Sequence, residues 1–355
     1  MVVPVPDLFR LLAVPAFGWA ALRDLRTRRI PNRIWLPLVA LGALLVGWDL
    51  LRLGFGSPRG SLYVLRLVIS VGLVGGLSIL FWVIGGFGGA DAKAFLTLAV
   101  LYPTYPTYEV GGITVPLVAT DLGVFSLTVL TNAVLLGATS PLALVLLNLR
   151  SGTISPLAAV ARRVPVENLP DRHGTLLDTD GEFTRSGLDL DALRMYLRWR
   201  RLDLATLRGR PELVDPATLP ADPGDPTDGA VSDDDGDPFR GPDPAAVADP
   251  GATASAGSTD STASDGATNS TTPVGATAAG DRWGAEAFLD DIEVSAYGTT
   301  PEELRAGLDR ITAADRVWVS PGIPFLVPTF LGLLVGLTAG DLLFWLLSLS
   351  GLVGP

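Results

Sequence analysis

Residues 8–32 read LFRLLAVPAFGWAALRDLRTRRIPN, an apolar stretch from Leu8 to Leu22 followed by Arg23, Arg26, Arg28 and Arg29. A run of about 18 apolar residues or more is long enough to cross a bilayer as a helix. The first stretch could imitate a signal peptide, but arginines follow it where a cleavable leader carries small residues. Since more apolar segments come later, it is read as a retained first helix. The others lie near Ile34–Leu53, Leu62–Ile84, Ala92–Tyr102, Val115–Leu149 and Ile323–Leu349. The fourth is short for a full span, and the fifth is long enough to bend near Pro141. The expected fold class is all-α, a polytopic membrane helix bundle of about six transmembrane helices.

Arginine placement orients the bundle, because cytoplasmic loops retain basic residues. Arg23, Arg26, Arg28, Arg29 and Arg33 fill the first loop, Lys93 marks the third, and Arg150, Arg162 and Arg163 follow the fifth span. The alternate loops are poorer, with only Arg52 and Arg59 in one and no Lys or Arg in Pro103–Pro116. The N-terminus is therefore expected outside. The loops at Asp24, at Asp91 and after Leu149 are then cytoplasmic, at a cell membrane.

The rest of the chain is acidic. Net charge is −11, there is no cysteine, and the one lysine, Lys93, stands against 25 arginines. Absence of cysteine removes disulfides, thiolate catalysis and Cys-based zinc modules. An acidic balance argues against a nucleic-acid partner, whose footprint would be basic. The Asp-rich, Lys-poor composition is that of a protein from a high-salt cytoplasm. Residues 1–150 are expected to form a membrane core, 151–320 a hydrophilic cytoplasmic insertion, and 321–355 the last helix. Within the insertion, Asp189–Leu207 places Leu190, Leu193 and Leu197 at helical spacing with arginines between them. Pro211–Arg282 holds fourteen acidic residues against two arginines, too little apolar matter to offset ordering entropy, and is expected to be disordered. Thr300-Pro301-Glu302-Glu303 reads as a helix start running to about Ala314.

Two carboxylates sit at the edges of apolar runs, where charge is costly. Asp24 ends the first helix. Asp91 follows Gly85-Gly86-Phe87-Gly88-Gly89-Ala90 and precedes Ala92-Lys93. On one membrane face, two carboxylates a few ångströms apart cannot both ionise cheaply, so one keeps a proton. The ionised member can take a proton from water while the other hydrogen-bonds a scissile carbonyl. Either aspartate can fill either role. The chemistry requires neither metal nor cofactor. Glycines ahead of Asp91 let backbone approach an extended substrate, and the helix N-terminus there is expected to lower the pKa of Asp91.

These residues resemble one family. Asp24-Leu-Arg-Thr-Arg-Arg-Ile-Pro-Asn32 is similar to the first-aspartate motif of type IV prepilin peptidases. Gly88-Gly89-Ala90-Asp91-Ala92-Lys93 resembles their second, GxGD-type motif, with Ala90 in place of the second glycine. Gly322-Ile323-Pro324-Phe325, leading into a Gly-rich span, resembles the last helix of the family. The likeness covers about Pro4–Leu149 and Ile323–Leu349. It implies a membrane aspartic endopeptidase with Asp24 and Asp91 catalytic, cutting the basic leader from prepilin or prearchaellin precursors at the cytoplasmic face. Gly88, Gly89, Ala90, Lys93, Pro31 and Asn32 would bind substrate or shape the site. Lacking the cysteines of the bacterial enzymes, the chain sits closer to the archaeal branch.

Two other classes compete. An ion-coupled carrier would use Asp121 and Asp341, although no inverted repeat accompanies them. A membrane-anchored scaffold would use the acidic middle. Asp49, Glu109, Asp121 and Asp341 otherwise read as polarity toward the outer side, and His173 as a solvated loop residue. The bilayer is a partner in every reading, and oligomeric state is left open.

Overall fold

The computed structural model describes residues 4–84, 86–179, 186–231, 280–292, 296–322 and 324–350. The chain divides into two compact units, one holding residues 1–163, 179–183 and 318–355, the other 164–178 and 184–317.

The first unit is a helical bundle. It runs α1 (Val5–Arg10), α2 (Ala13–Thr27), α3 (Trp35–Leu53), α4 (Pro58–Ile69), a π-helical turn at Ser70–Gly75, α5 (Gly76–Val83) and α6 (Gly89–Leu101). A hairpin of β1 (Tyr108–Val110) and β2 (Ile113–Val115) precedes α7 (Phe125–Gly137) and α8 (Thr139–Arg150). The last two helices, α13 (Leu326–Thr338) and α14 (Leu342–Leu349), return to this unit. The small β1–β2 hairpin, antiparallel with Glu109 opposite Thr114, is an addition to the all-helical expectation.

Among the described residues, four helical stretches are long and apolar enough to cross a membrane: Val5–Thr27, Asn32–Leu53, Pro58–Val83 and Phe125–Arg150. The two other apolar segments fall short of that length. Ala92–Tyr102 becomes α6, whose 13 residues extend only about 20 Å. The described part of Ile323–Leu349 divides at Gly340-Asp341, where Gly340 has φ +97° and Val118 backbone lies too close for any side chain.

Apolar all round, α6 occupies the middle of the bundle, as such a helix must. Phe95, Leu98 and Leu101 are fully buried, and α3, α5 and the π-helical turn pack on it. Gly42 admits α3, since a Cβ there would stand 3.1 Å from Leu101 backbone. Likewise Gly332 brings α13 onto α7, where a Cβ would meet Ala133 nitrogen at 2.9 Å. The π-helical turn presents Ser70 Oγ to Ala99 oxygen at 2.6 Å. Outward faces keep Leu36, Leu44, Val68 and Val83 exposed, as suits contact with lipid.

In the second unit, β4 (Thr175–Leu177) pairs antiparallel with β5 (Gly187–Asp189), Leu176 opposite Leu188. The chain enters through β3 (Arg162–Pro165) and leaves through β6 (Arg316–Ser320). The amphipathic helix expected over Asp189–Leu207 is two helices, α9 (Leu190–Trp199) and α10 (Leu204–Gly209), separated where Arg201 adopts φ +55°. Leu190, Leu193 and Leu197 are buried as the spacing predicts. Arg194 and Arg200 are buried too, donating to the backbone oxygens of Gly229 and Leu213. Trp283, Tyr196 and Phe288 complete the core with α11 (Ala285–Asp291). The helix start at Thr300 is present as α12 (Pro301–Ala313), with Thr300 and Glu303 capping each other. His173 is half-buried rather than simply solvated, its Nδ1 3.9 Å from an Asp191 oxygen and without a hydrogen bond among the described residues. Of the tract expected to be disordered, Pro211–Val214 and Pro216–Thr218 form 3-10 turns, with Leu213 buried, and residues 232–279 lie outside the described residues.

At the end of the bundle away from the α2 C-terminus, Arg10 is 3% exposed and bonds three partners. Its Nη1 reaches Asp7 at 2.6 Å, its Nη2 reaches Asp49 at 2.5 Å, and its Nε donates to Leu101 oxygen at 2.9 Å. Asp49 therefore belongs to a buried ion cluster and is more than interfacial polarity. Removing Arg10 leaves two partly or fully buried carboxylates without their cation. Arg10→Met is expected to cost about 3 kcal/mol or more, read as a fall in the thermal midpoint of the purified protein. A triple replacement, Asp7→Asn with Arg10→Met and Asp49→Asn, should recover most of that loss.

Candidate active site

Asp24 and Asp91 arrive from different helices. Asp24 lies in the last turn of α2, which ends when Arg28 takes the left-handed conformation, φ +55°. The Arg28 backbone N–H closes that turn on Asp24 oxygen at 3.2 Å. Arg23 Nε holds the returning loop by donating to Arg29 oxygen at 3.0 Å. Pro31 then sets extended backbone ahead of the short turn Asn32–Ile34 that starts α3.

Asp91 lies in the first turn of α6. Its Oδ2 accepts the Gly88 N–H at 3.0 Å, so the carboxylate folds back over its own helix start. A Cβ at Gly88 would stand 3.1 Å from that oxygen. Gly88 thus serves by lacking a side chain, although its φ of −68° suits any residue. Gly89 opens the helix, and Ala90 packs against the core beneath it. Gly85, the first glycine of the run, lies outside the described residues.

Electrostatics ties the pair together. The charge of Asp24 acts on Asp91, and the Arg28 guanidinium is within reach of both carboxylates. Asp24 is buried and accepts the backbone N–H of Leu326, the first residue of α13. Each aspartate therefore meets a helix N-terminus, whose free N–H groups favour an anion. Asp91, ahead of the apolar part of α6, is nevertheless pushed up to about 7, first by burial and then by the charge of Asp24. This reverses the lowering expected from the helix end. Desolvation and a like charge outweigh the dipole and the Gly88 hydrogen bond.

The remaining candidates form a rim. Lys93 Nζ donates to Asn32 Oδ1 at 2.6 Å, joining the loop before α3 to the start of α6 in an exposed position. Beneath it Phe87 stacks on Phe95 at 5.6 Å and touches Phe325 at 5.0 Å between ring centres. Two contributors escaped sequence reasoning. Arg28, one of five arginines in its loop, is singled out only by its left-handed backbone and its bonds to the oxygens of Pro321 and Gly322. The second is the Leu326 N–H, a backbone group of an apolar residue. Ile323, between these two, lies outside the described residues. Among the described residues no group of three or more His, Asp or Glu side chains is arranged to hold a metal.

Residues 11–142 match the model of the Type IV leader peptidase family. The matched stretch takes in the loop after α2, all of α6 and both aspartates. A comparison with curated proteins finds no match. Over these residues the chain is thus similar to the type IV leader peptidase family, a membrane-embedded family of proteases, and its apolar helices are long enough to cross a membrane.

Gly88→Ala tests how tightly the Asp91 carboxylate is seated. The added methyl must displace Oδ2 by a few tenths of an ångström while the backbone stays unstrained. Leader-peptide cleavage should fall roughly tenfold, by the sensitivity of catalysis to misplaced groups, with an unchanged thermal midpoint.

Proposed function

We propose that Asp24 and Asp91 are a catalytic pair that hydrolyses the peptide bond after the basic leader of prepilin-like or prearchaellin precursors. The observation that carries this is the convergence of two desolvated carboxylates from α2 and α6, the charge of Asp24 raising Asp91 and the charge of Arg28 acting on both. Similarity of residues 11–142 to a leader-peptidase family supports the same reading.

In this proposal Asp91 holds the shared proton near neutral pH and Asp24 is the base. Asp24 takes a proton from water as its oxygen attacks the scissile carbonyl, while the Asp91 O–H donates to the carbonyl oxygen. The tetrahedral intermediate then collapses. Its C–N bond breaks, the proton held by Asp24 passes to the leaving amine, and the proton returns to Asp91. Lys93 and Asn32 would brace the rim on which the leader lies, with Pro31 shaping the loop and Gly88, Gly89 and Ala90 giving backbone access. No step calls for a cofactor.

The substrate would be a short basic leader joined to an apolar helix, a shape suited to a site at a membrane surface. We place that site on the cytoplasmic face of the cell membrane, from the arginine distribution. Residues 1–150 and 321–355 would form the peptidase core around the insertion at 151–320. Attraction of basic leaders by the acidic insertion would be weak in concentrated salt, where screening cuts charge interactions to about 3 Å. The carrier alternative finds little support, because Asp341 is occupied by capping α14 at Phe344 N–H, 3.0 Å, and by accepting from Thr128 at 2.8 Å.

Cleavage of a prepilin-type precursor by the purified full chain in lipid tests the pair. Asp24→Asn and Asp91→Asn should each reduce the rate by roughly 10²–10⁴-fold, the range for a lost acid or base, with thermal midpoints close to wild type. Either variant cutting within a few fold of wild type sinks the proposal.

The pH dependence has a definite sign. Activity needs one protonated and one ionised carboxylate, so kcat/KM should be bell-shaped. Because Asp91 is pushed up to about 7, the alkaline limb should fall as pH rises through about 7, with the acid limb below it. An alkaline limb displaced to pH 10 would instead point to a lysine or tyrosine as the acid.

A further inference from the structure

A cleft of about 380 Å³ opens beside the start of α4, away from the two aspartates. One face of that helix supplies Arg59, Leu62, Tyr63 and Arg66, at the i, i+3, i+4 and i+7 positions that align on a helix surface. Thr104 and Thr120 bring hydroxyls from the facing turns.

The two arginines are out of place for a lipid-facing segment. Arg59 lies in the first turn of the stretch Pro58–Val83, which is apolar enough to span a membrane, and Arg66 lies two turns further into it. A cation there is costly and ordinarily points to an anionic partner. Arg66 is seated by backbone alone. Its Nε donates to Leu122 oxygen at 3.0 Å, and its guanidinium lies against Gly123, in the room a side chain would take. Gly123 has φ +69°, so the turn itself favours glycine. Neither Arg59 nor Arg66 has a carboxylate partner among the described residues. Asp49, which Tyr63 touches at 3.2 Å, is already neutralised by Arg10. The cleft thus gathers positive charge and hydroxyl groups without an internal counter-ion. Beside it Leu62 and Leu65 are exposed.

We propose that this cleft binds the phosphate of a membrane lipid headgroup, with the acyl chains lying over Leu62 and Leu65. Guanidinium groups suit phosphate because their paired N–H groups match its oxygens. Thr104 and Thr120 supply further donors, and the neighbouring leucines accept the apolar tail. The site does not depend on the catalytic proposal.

Binding of dioctanoyl phosphatidylglycerol to the full chain in neutral detergent at low salt tests it, measured by native mass spectrometry and thermal shift. Dioctanoylglycerol, which lacks the phosphate, and inorganic phosphate are the comparison probes. Wild type should retain the phosphatidylglycerol and be stabilised by it. Arg59→Gln, an exposed residue with little bearing on folding, should weaken retention roughly tenfold, as loss of a charge-assisted contact does. Arg66→Gln should do the same. Dioctanoylglycerol should bind far less, and inorganic phosphate should not displace the lipid at equal concentration. Unchanged retention by Arg59→Gln, or equal binding of dioctanoylglycerol, would overturn the proposal. Displacement by inorganic phosphate at equal concentration would overturn the lipid assignment in favour of a free anion.

Discussion

Burial of two carboxylates, with the charge of one acting on the other, is the constraint that the rest of the site answers. Asp24 and Asp91 lie close enough for one to raise the pKa of the other, in surroundings that strip water from both. Unaided, such a pair would separate or neutralise. Here the two are held by elements that cannot easily part. Asp24 receives the first N–H of α13, Asp91 is tied to Gly88, and the Arg28 charge reaches both. In the proposed mechanism that balance supplies the one proton shared near neutrality that acid and base catalysis by a carboxylate pair requires.

The position of Asp91 depends in turn on α6 staying fixed. A helix that is apolar on every side has no orientation of its own, so polar contacts at its ends must provide one. At the N-terminal end these are the Asp91–Gly88 bond and the Lys93–Asn32 bond. At the other end Arg10 donates to Leu101 oxygen, and the Tyr102 hydroxyl donates to Arg10 oxygen at 2.7 Å. The buried Arg10 cluster therefore clamps the helix that carries the aspartate, roughly 15 Å along the axis from it. Charge burial there contributes position more than net stability.

Much of this was legible in the sequence. The apolar runs gave the bundle, and the flanks of Asp24 and Asp91 pointed to both carboxylates. What periodicity could not show was which apolar runs would stop short. Gly340 breaks the last segment because Val118 backbone crosses at its Cα, a contact over 200 residues away in the chain. Nor could it separate Arg28 from its neighbours, since all five arginines fit the expectation of a positive cytoplasmic loop. The buried arginines Arg194 and Arg200 were missed for a related reason. A charged residue between apolar ones reads as a solvated face, yet a guanidinium can be buried when backbone carbonyls take its donors. The pKa of Asp91 went the other way from expectation because the dipole argument considers one helix, whereas burial and the charge of Asp24 come from the assembled bundle.

The glycines around the site are not equivalent, and the difference bears on how the pair works. Gly88 has an ordinary backbone conformation, so no turn geometry demands it. The space it leaves is taken by the Asp91 carboxylate itself. A side chain there would push Oδ2 outward and weaken the one hydrogen bond that favours the ionised form. Gly89, by contrast, has only Trp82 Nε1 near its missing Cβ, at 3.8 Å. It could carry a methyl group without displacing the carboxylate. The same tolerance explains how Ala90 can stand where a strict GxGD motif has glycine. Its side chain packs against the core, so the extra methyl is accommodated there. Space for the carboxylate is thus needed one turn back, at Gly88, and much less at the residue immediately preceding the aspartate.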